Sequence, residues 1–254
     1  VIPNRHQPNH NCLNCHREVC GNYCQHCGQT ATIHRYSLKH FVEHDLIHGI
    51  WHVDKGVLYT IKQLFTRPGD AVREYIIGER ARLFNFVTLI ILILGISALL
   101  APYIHIRLGD IIPLGTKEAM NQVEAFSTKY PKVVILVLIP IYSLFSWLWF
   151  RKAKLNYSEH LVLNCYKTCA ELIIGLLFSV VTIFYTNTSN LLVIYYILVV
   201  VGGLIYSIWF YSQFFKEYEF SRKASILRAF MIPISYLLFS ILIGIVFGIV
   251  KGLS

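Results

Sequence analysis

Charge is what this chain has least of. Charged residues fill 15% of its 254 positions, where soluble globular domains carry roughly 25%, and 55% of the residues are hydrophobic. That excludes an ordinary soluble domain and points to a chain that crosses a bilayer several times. Acidic residues number 14 against 23 Lys and Arg, a net charge of +9. The excess is not a nucleic-acid signal. Residues 1–56 hold Arg5, Arg17, Arg35, Lys39 and Lys55 against Glu18, Glu43, Asp45 and Asp54. Four metal-bound thiolates would make that region acidic, so it has no basic face and no nucleic-acid partner is expected. The surplus lies beside the apolar stretches, where Lys and Arg set topology and meet anionic lipid. Two further features are missing. The amino-terminal stretch is polar, with no apolar segment of the kind a cleavable signal peptide needs, so none is expected. No internal repeat and no matched pair of Gly/Pro-broken spans is visible, which counts against a transporter.

What is present begins with five apolar stretches, at 83–106, 133–150, 161–185, 191–211 and 229–250. The first runs without one Asp, Glu, Lys or Arg. Each is of a length that crosses a hydrocarbon core of about 30 Å as a helix. The fold class expected is therefore an all-α polytopic membrane protein of about five transmembrane helices, with a small domain in front. The basic segments fall at 55–82, 151–154 and 216–228. The loop 107–132 is nearly balanced and the turn 186–190 is uncharged. The positive-inside rule places the N-terminus in the cytoplasm, and five spans leave the C-terminus outside.

The small domain, residues 1–34, is set by cysteine. Cys12-Leu-Asn-Cys15 and Cys24-Gln-His-Cys27 form two C-x2-C knuckles eight residues apart. Two intervening residues let both thiolates of a knuckle reach one ion, and two knuckles supply the closed all-sulfur site of structural zinc. Disulfides would need an oxidising compartment, which the topology opposes. Iron in a rubredoxin-like site is the other metal this set accepts. Cys20, His16 and His26 lie close enough to substitute as ligands. Tyr23-Cys24 and Cys27-Gly28-Gln29 resemble the compact zinc ribbons that begin many prokaryotic membrane and regulatory proteins, with His16 in place of the usual glycine after the first pair. Four cysteines leave no coordination position for catalysis.

A histidine-rich stretch follows. Ser37 can cap a helix in which His40, His44 and His48 recur at i, i+4, i+8. His44-Asp45-Leu46-Ile47-His48 reads H-D-x-x-H, the helical metal motif H-E-x-x-H with Asp for Glu. His44 and His48 could share a second divalent metal, His52 or Asp54 could complete it, and Asp45 could act as base toward bound water. The plainer reading is a polar helix face rich in histidine. Residues 57–82 carry two amphipathic stripes separated by Arg67-Pro68-Gly69-Asp70, and Gly78 can end the second. The domain 35–82 is thus expected to be helical and to lie at the membrane interface; ordinary packing of two helices on the ribbon is the alternative.

The stretch from His44-Asp45-Leu46-Ile47-His48 through Asp54-Lys55-Gly56, Arg67-Pro68-Gly69 and Arg73-Glu74-Tyr75 to Gly78-Glu79-Arg80 resembles a bacterial family of polytopic membrane proteins with an amino-terminal zinc ribbon and a domain of unknown function. The resemblance covers residues 12–86. It implies an inner-membrane location and this architecture, and it brings no activity.

In the third apolar stretch, Glu159, His160, Asn164, Lys167 and Glu171 stand at the cytoplasmic end. Ionisable groups inside a membrane mark functional sites by default. Lys167 and Glu171 are one turn apart and can pair, and His160 or Glu171 could join the His44/His48 helix in one site. The leading function is accessory: a cytoplasmic zinc ribbon docks a protein partner onto a helical bundle among membrane lipids. The alternatives are a membrane-surface metal-dependent hydrolase built on the histidines and a channel or transporter built on Lys167 and Glu171.

Overall fold

The computed structural model describes residues 11–33, 35–38, 56–104 and 129–252. Among these the regular structure is helical, and residues 11–33 are turns with two isolated β-bridges, Asn11 to Glu18 and Tyr23 to Thr30. The helices are α1 (Gly56–Thr66), α2 (Pro68–Ile77), α3 (Phe86–Leu100), α4 (Pro131–Trp149), α5 (Tyr157–Phe184), α6 (Thr188–Tyr195), α7 (Gly202–Phe214) and α8 (Arg222–Gly252). A π-helical turn, Tyr196–Val201, joins α6 to α7.

Four helical stretches are long and apolar enough to cross a membrane: Phe86–Tyr103, Tyr157–Phe184, Thr188–Glu217 and Arg222–Leu242. They are the first, third, fourth and fifth of the stretches expected, and they make this a membrane protein. The second is α4, a helix of 19 residues.

Side chains decide where two of these helices begin. Asn85 Oδ1 accepts from the backbone N–H groups of Val87 (2.8 Å) and Thr88 (3.3 Å), so α3 starts at Phe86 rather than at residue 83. The preceding backbone is pinned from two sides: Phe84 N–H donates to Thr60 Oγ1 (2.7 Å), and the Tyr166 hydroxyl donates to Phe84 O (3.0 Å). Asn156 and Glu159 form a capping box, so α5 starts at Tyr157 rather than at residue 161. Its 28 residues measure about 42 Å, more than a hydrocarbon core of about 30 Å, so one end stands clear of it.

That end is surrounded by α1 and α2. Leu64 of α1 and Val72, Tyr75 and Ile76 of α2 share one buried core with Val162 and Tyr166 of α5. Tyr166 sits edge-on to Tyr75 (5.2 Å) and to Phe86 (5.4 Å). Leu58 and Phe65, from the α1 stripe, stay exposed. The turn after α4 and the turn after α7 meet at the same end, where Phe150 stacks on Phe215 at 3.7 Å. The three basic segments therefore gather at one end of the bundle.

The closest approach in this region is α2 on α7. A Cβ on Gly69 would overlap the backbone of Phe210, Gln213 and Phe214. The two helix ends complete each other there. Gln213 Oε1 accepts from Gly69 N–H (2.8 Å) at the start of α2, and Arg73 donates to the last carbonyls of α7, those of Gln213 (3.2 Å) and Phe214 (3.4 Å). Arg67 grips Glu74 through two hydrogen bonds, and Asp70 pairs with Arg73 and Lys216. The Arg67-Pro68-Gly69-Asp70 sequence, read as a turn, is also the joint between these helices.

Candidate metal centre and buried polar layer

The two cysteine knuckles fold alike, twelve residues apart. His16 N–H donates to Cys12 O (2.8 Å) as Gly28 N–H does to Cys24 O (2.9 Å). Cys12 N–H reaches Arg17 O and Cys24 N–H reaches Gln29 O. Both knuckles close with a left-handed residue, His16 at φ 59° and Gly28 at φ 73°. The ribbon geometry thus holds a histidine where glycine is the easier choice.

The four Sγ atoms of Cys12, Cys15, Cys24 and Cys27 lie within 4.8 Å of one another. Cys12 to Cys27 and Cys15 to Cys24 are each 3.5 Å. A tetrahedral ion with bonds of about 2.3 Å to sulfur has sulfur–sulfur edges of about 3.8 Å, so the set fits a metal ion with little adjustment. Backbone N–H groups of Cys27 and His26 point at the Cys24 sulfur and hold its pKa down to about 6, which prepares it as a thiolate ligand. Cys20 is exposed and outside the group.

The ribbon is fastened to the link between α2 and α3. Gly78, at φ 129°, ends α2 by donating to Glu74 O and Tyr75 O, and Leu13 packs where its Cβ would be. Gln29 Oε1 accepts from Arg80 N–H (2.9 Å) and Ala81 N–H (3.2 Å). Arg80 lies over the Tyr36 ring at 4.0 Å. Beyond the ribbon, Arg35 grips Glu159 at 2.7 and 2.9 Å and donates to Lys154 O (3.1 Å), while Asn156 Nδ2 donates to Tyr36 O. The metal site is therefore coupled to the start of α5. The Glu159 side chain is 0% exposed. Arg35→Ala should cost about 1.5–3 kcal/mol, because it leaves the buried carboxylate with only its bond from Asn156 N–H; a lower denaturation midpoint in detergent checks it.

Burial first, and then the neighbouring Glu74, raises the Glu79 carboxyl above the usual range. The stability it contributes is complete below the ordinary glutamate pKa of about 4.3 and is lost as pH rises through the raised value. Glu79→Gln should flatten the fall in stability in the window just above pH ~4.3, as read from melting temperature against pH.

The polar residues of α5 divide into two groups. His160 is fully buried, with Nδ1 2.9 Å from Ser146 Oγ and Nε2 without a hydrogen-bond partner among the described residues. Asn164 Nδ2 donates to Ser146 Oγ (2.9 Å), and the Tyr211 hydroxyl donates to Asn164 Oδ1 (2.5 Å). Lys167, 2% exposed, pairs with Glu171 and lies over the Tyr142 ring at 4.6 Å. His160 and Glu171 are about 16 Å apart along the helix, and a joint site of either with His44 and His48 falls outside the described residues. Ser143, Ser146 and Tyr211 carried no local signal. Tyr211 and Phe150 are 0% exposed; Tyr211 is buried because Asn164 satisfies its hydroxyl. Trp149 and Trp209 are partly exposed. His44, Asp45, His48, His52 and Asp54 lie outside the described residues.

A family model described as a protein of unknown function, DUF3667, matches residues 54–97. The similar stretch takes in α1, α2, the Gly78 link and most of α3; it leaves the four cysteines outside. No curated protein matches the chain, and no solved structure does.

Proposed function

We propose that this is a multi-pass protein of the bacterial inner membrane, with a cytoplasmic N-terminus and the C-terminus outside. In this reading a structural zinc ion stiffens the ribbon, and the ribbon docks a protein partner onto the bundle. The protein is then an accessory, regulatory or scaffolding subunit rather than an enzyme. The observation that carries the reading is the closed four-sulfur site fastened through Gln29 to the α2–α3 link. A closed site offers no position to substrate, and a structural ion favours binding over catalysis. The orientation draws support from the basic segments meeting at the ribbon end. Reduced cytoplasm keeps the thiols available for metal.

A photo-crosslinking residue in place of Tyr23, which is 62% exposed on the ribbon, tests this in native membranes. One discrete adduct is expected in the full chain, and none when Cys24→Ser is added, although that variant still inserts. No adduct at all, or the same adduct without the metal site, overturns the docking reading.

A further inference from the structure

Between α7 and the start of α8 lies a cleft of about 640 Å³ at the ribbon end of the bundle. Its apolar walls include Ile205, Ile208, Trp209 and Ile226, and its polar lining includes Ser212, Ser225, Lys216 and Arg222. Among the described residues no carboxylate lines it. The two hydroxyls set it apart. Ser225 is 4% exposed, and neither Ser225 Oγ nor Ser212 Oγ has a hydrogen-bond partner among the described residues. Ser97, Ser143, Ser179 and Ser235 return the hydroxyl to the carbonyl one turn back, whereas Ser207 of α7, outside the cleft, also lacks a partner among the described residues. A buried hydroxyl without a partner is costly, and two of them belong to residues that line this cleft.

The charge says what enters. Arg222 has no ion-pair partner among the described residues, and Lys216 stands at the rim with its Nζ shared with Asp70. The unpaired Arg222 guanidinium, two hydroxyls without partners and a lysine already shared with Asp70 match a phosphate group held mainly by Arg222. The apolar side says what the phosphate is attached to. Ile205 and Ile226 are 62% and 42% exposed on membrane-crossing helices. Past Ile226 the cleft continues into an apolar groove of about 320 Å³ lined by Ile208, Leu227 and Phe230, with Lys223 at its edge. We propose that this cleft binds an anionic glycerophospholipid, with the phosphate on Arg222, Ser212 and Ser225 and an acyl chain along the groove. The inference rests on the membrane location and is independent of what the ribbon docks.

The test is native mass spectrometry of the full chain in detergent, titrated with phosphatidylglycerol or phosphatidylcholine of identical chains. One phosphatidylglycerol should be retained about tenfold more tightly than phosphatidylcholine. Arg222→Gln with Ser225→Ala should abolish that preference. Ser225→Ala alone removes an unpartnered hydroxyl, so the delipidated variant should melt at the same temperature as the parent or higher, which separates lost binding from lost folding. Equal retention of the two lipids, or a preference unchanged by the variants, overturns the proposal. So does displacement of phosphatidylglycerol by millimolar inorganic phosphate, which would mark a site for free anions.

Discussion

Gly69→Ala is expected to be the most damaging single methyl group in this protein. The added Cβ would meet backbone on the facing helix, the carbonyl of Phe210 and the amide of Phe214. A side chain could rotate away; backbone in a packed helix cannot. Overpacking a core usually costs about 1–3 kcal/mol, and a clash against backbone belongs at or above the top of that range. The loss spreads, because α2 must retreat from α7. Gln213 then leaves the start of α2, and Arg73 leaves the carbonyls that end α7. The expected result is a variant that inserts but does not survive extraction in mild detergent as a monodisperse species. Gly95→Ala and Gly175→Ala are the controls, since a Cβ at either meets nothing within 4 Å. Both should be neutral or slightly stabilising.

Loss of the metal is the second large effect. The ribbon has too few apolar residues to hold itself together, and structural zinc supplies about 10–16 kcal/mol of apparent folding free energy in comparable small domains. Cys24→Ser, or a strong chelator, should unfold residues 11–33 while the helices persist. The readouts are metal content and protease sensitivity of the purified chain. One zinc per chain is expected, lost with Cys24→Ser and kept in a His44→Ala/His48→Ala double variant. A second ion, lost only with the histidines, would move the hydrolase reading to the front.

The damage should also travel. Gln29 is part of the ribbon and accepts from Arg80 and Ala81, so an unfolded ribbon frees the link that ends α2. Arg35, which grips Glu159 at the start of α5, lies a few residues beyond. Glu159 itself shows how a local signal and a distant one can share one residue. Its place three residues after Asn156 is legible as a capping box, because that geometry depends only on spacing along the chain. Its bond to Arg35 is not legible, because the two residues stand 124 positions apart.

The same division holds through the molecule. The sequence by itself determined the four-cysteine cluster that could hold a metal ion, since two residues between cysteines dictate a knuckle wherever the knuckle sits. It determined that the chain is helical and crosses a membrane, since composition over some twenty residues decides transfer into hydrocarbon. It determined the end of α2, since Gly78 alone tolerates φ 129° there. Only the tertiary structure decided that Gly69 touches α7, that the Tyr211 hydroxyl donates to Asn164, and that two serines without partners line a cleft. Spacing and composition are properties of short segments. These contacts depend on how helices far apart in the chain are set against each other, and no short-range pattern encodes that placement.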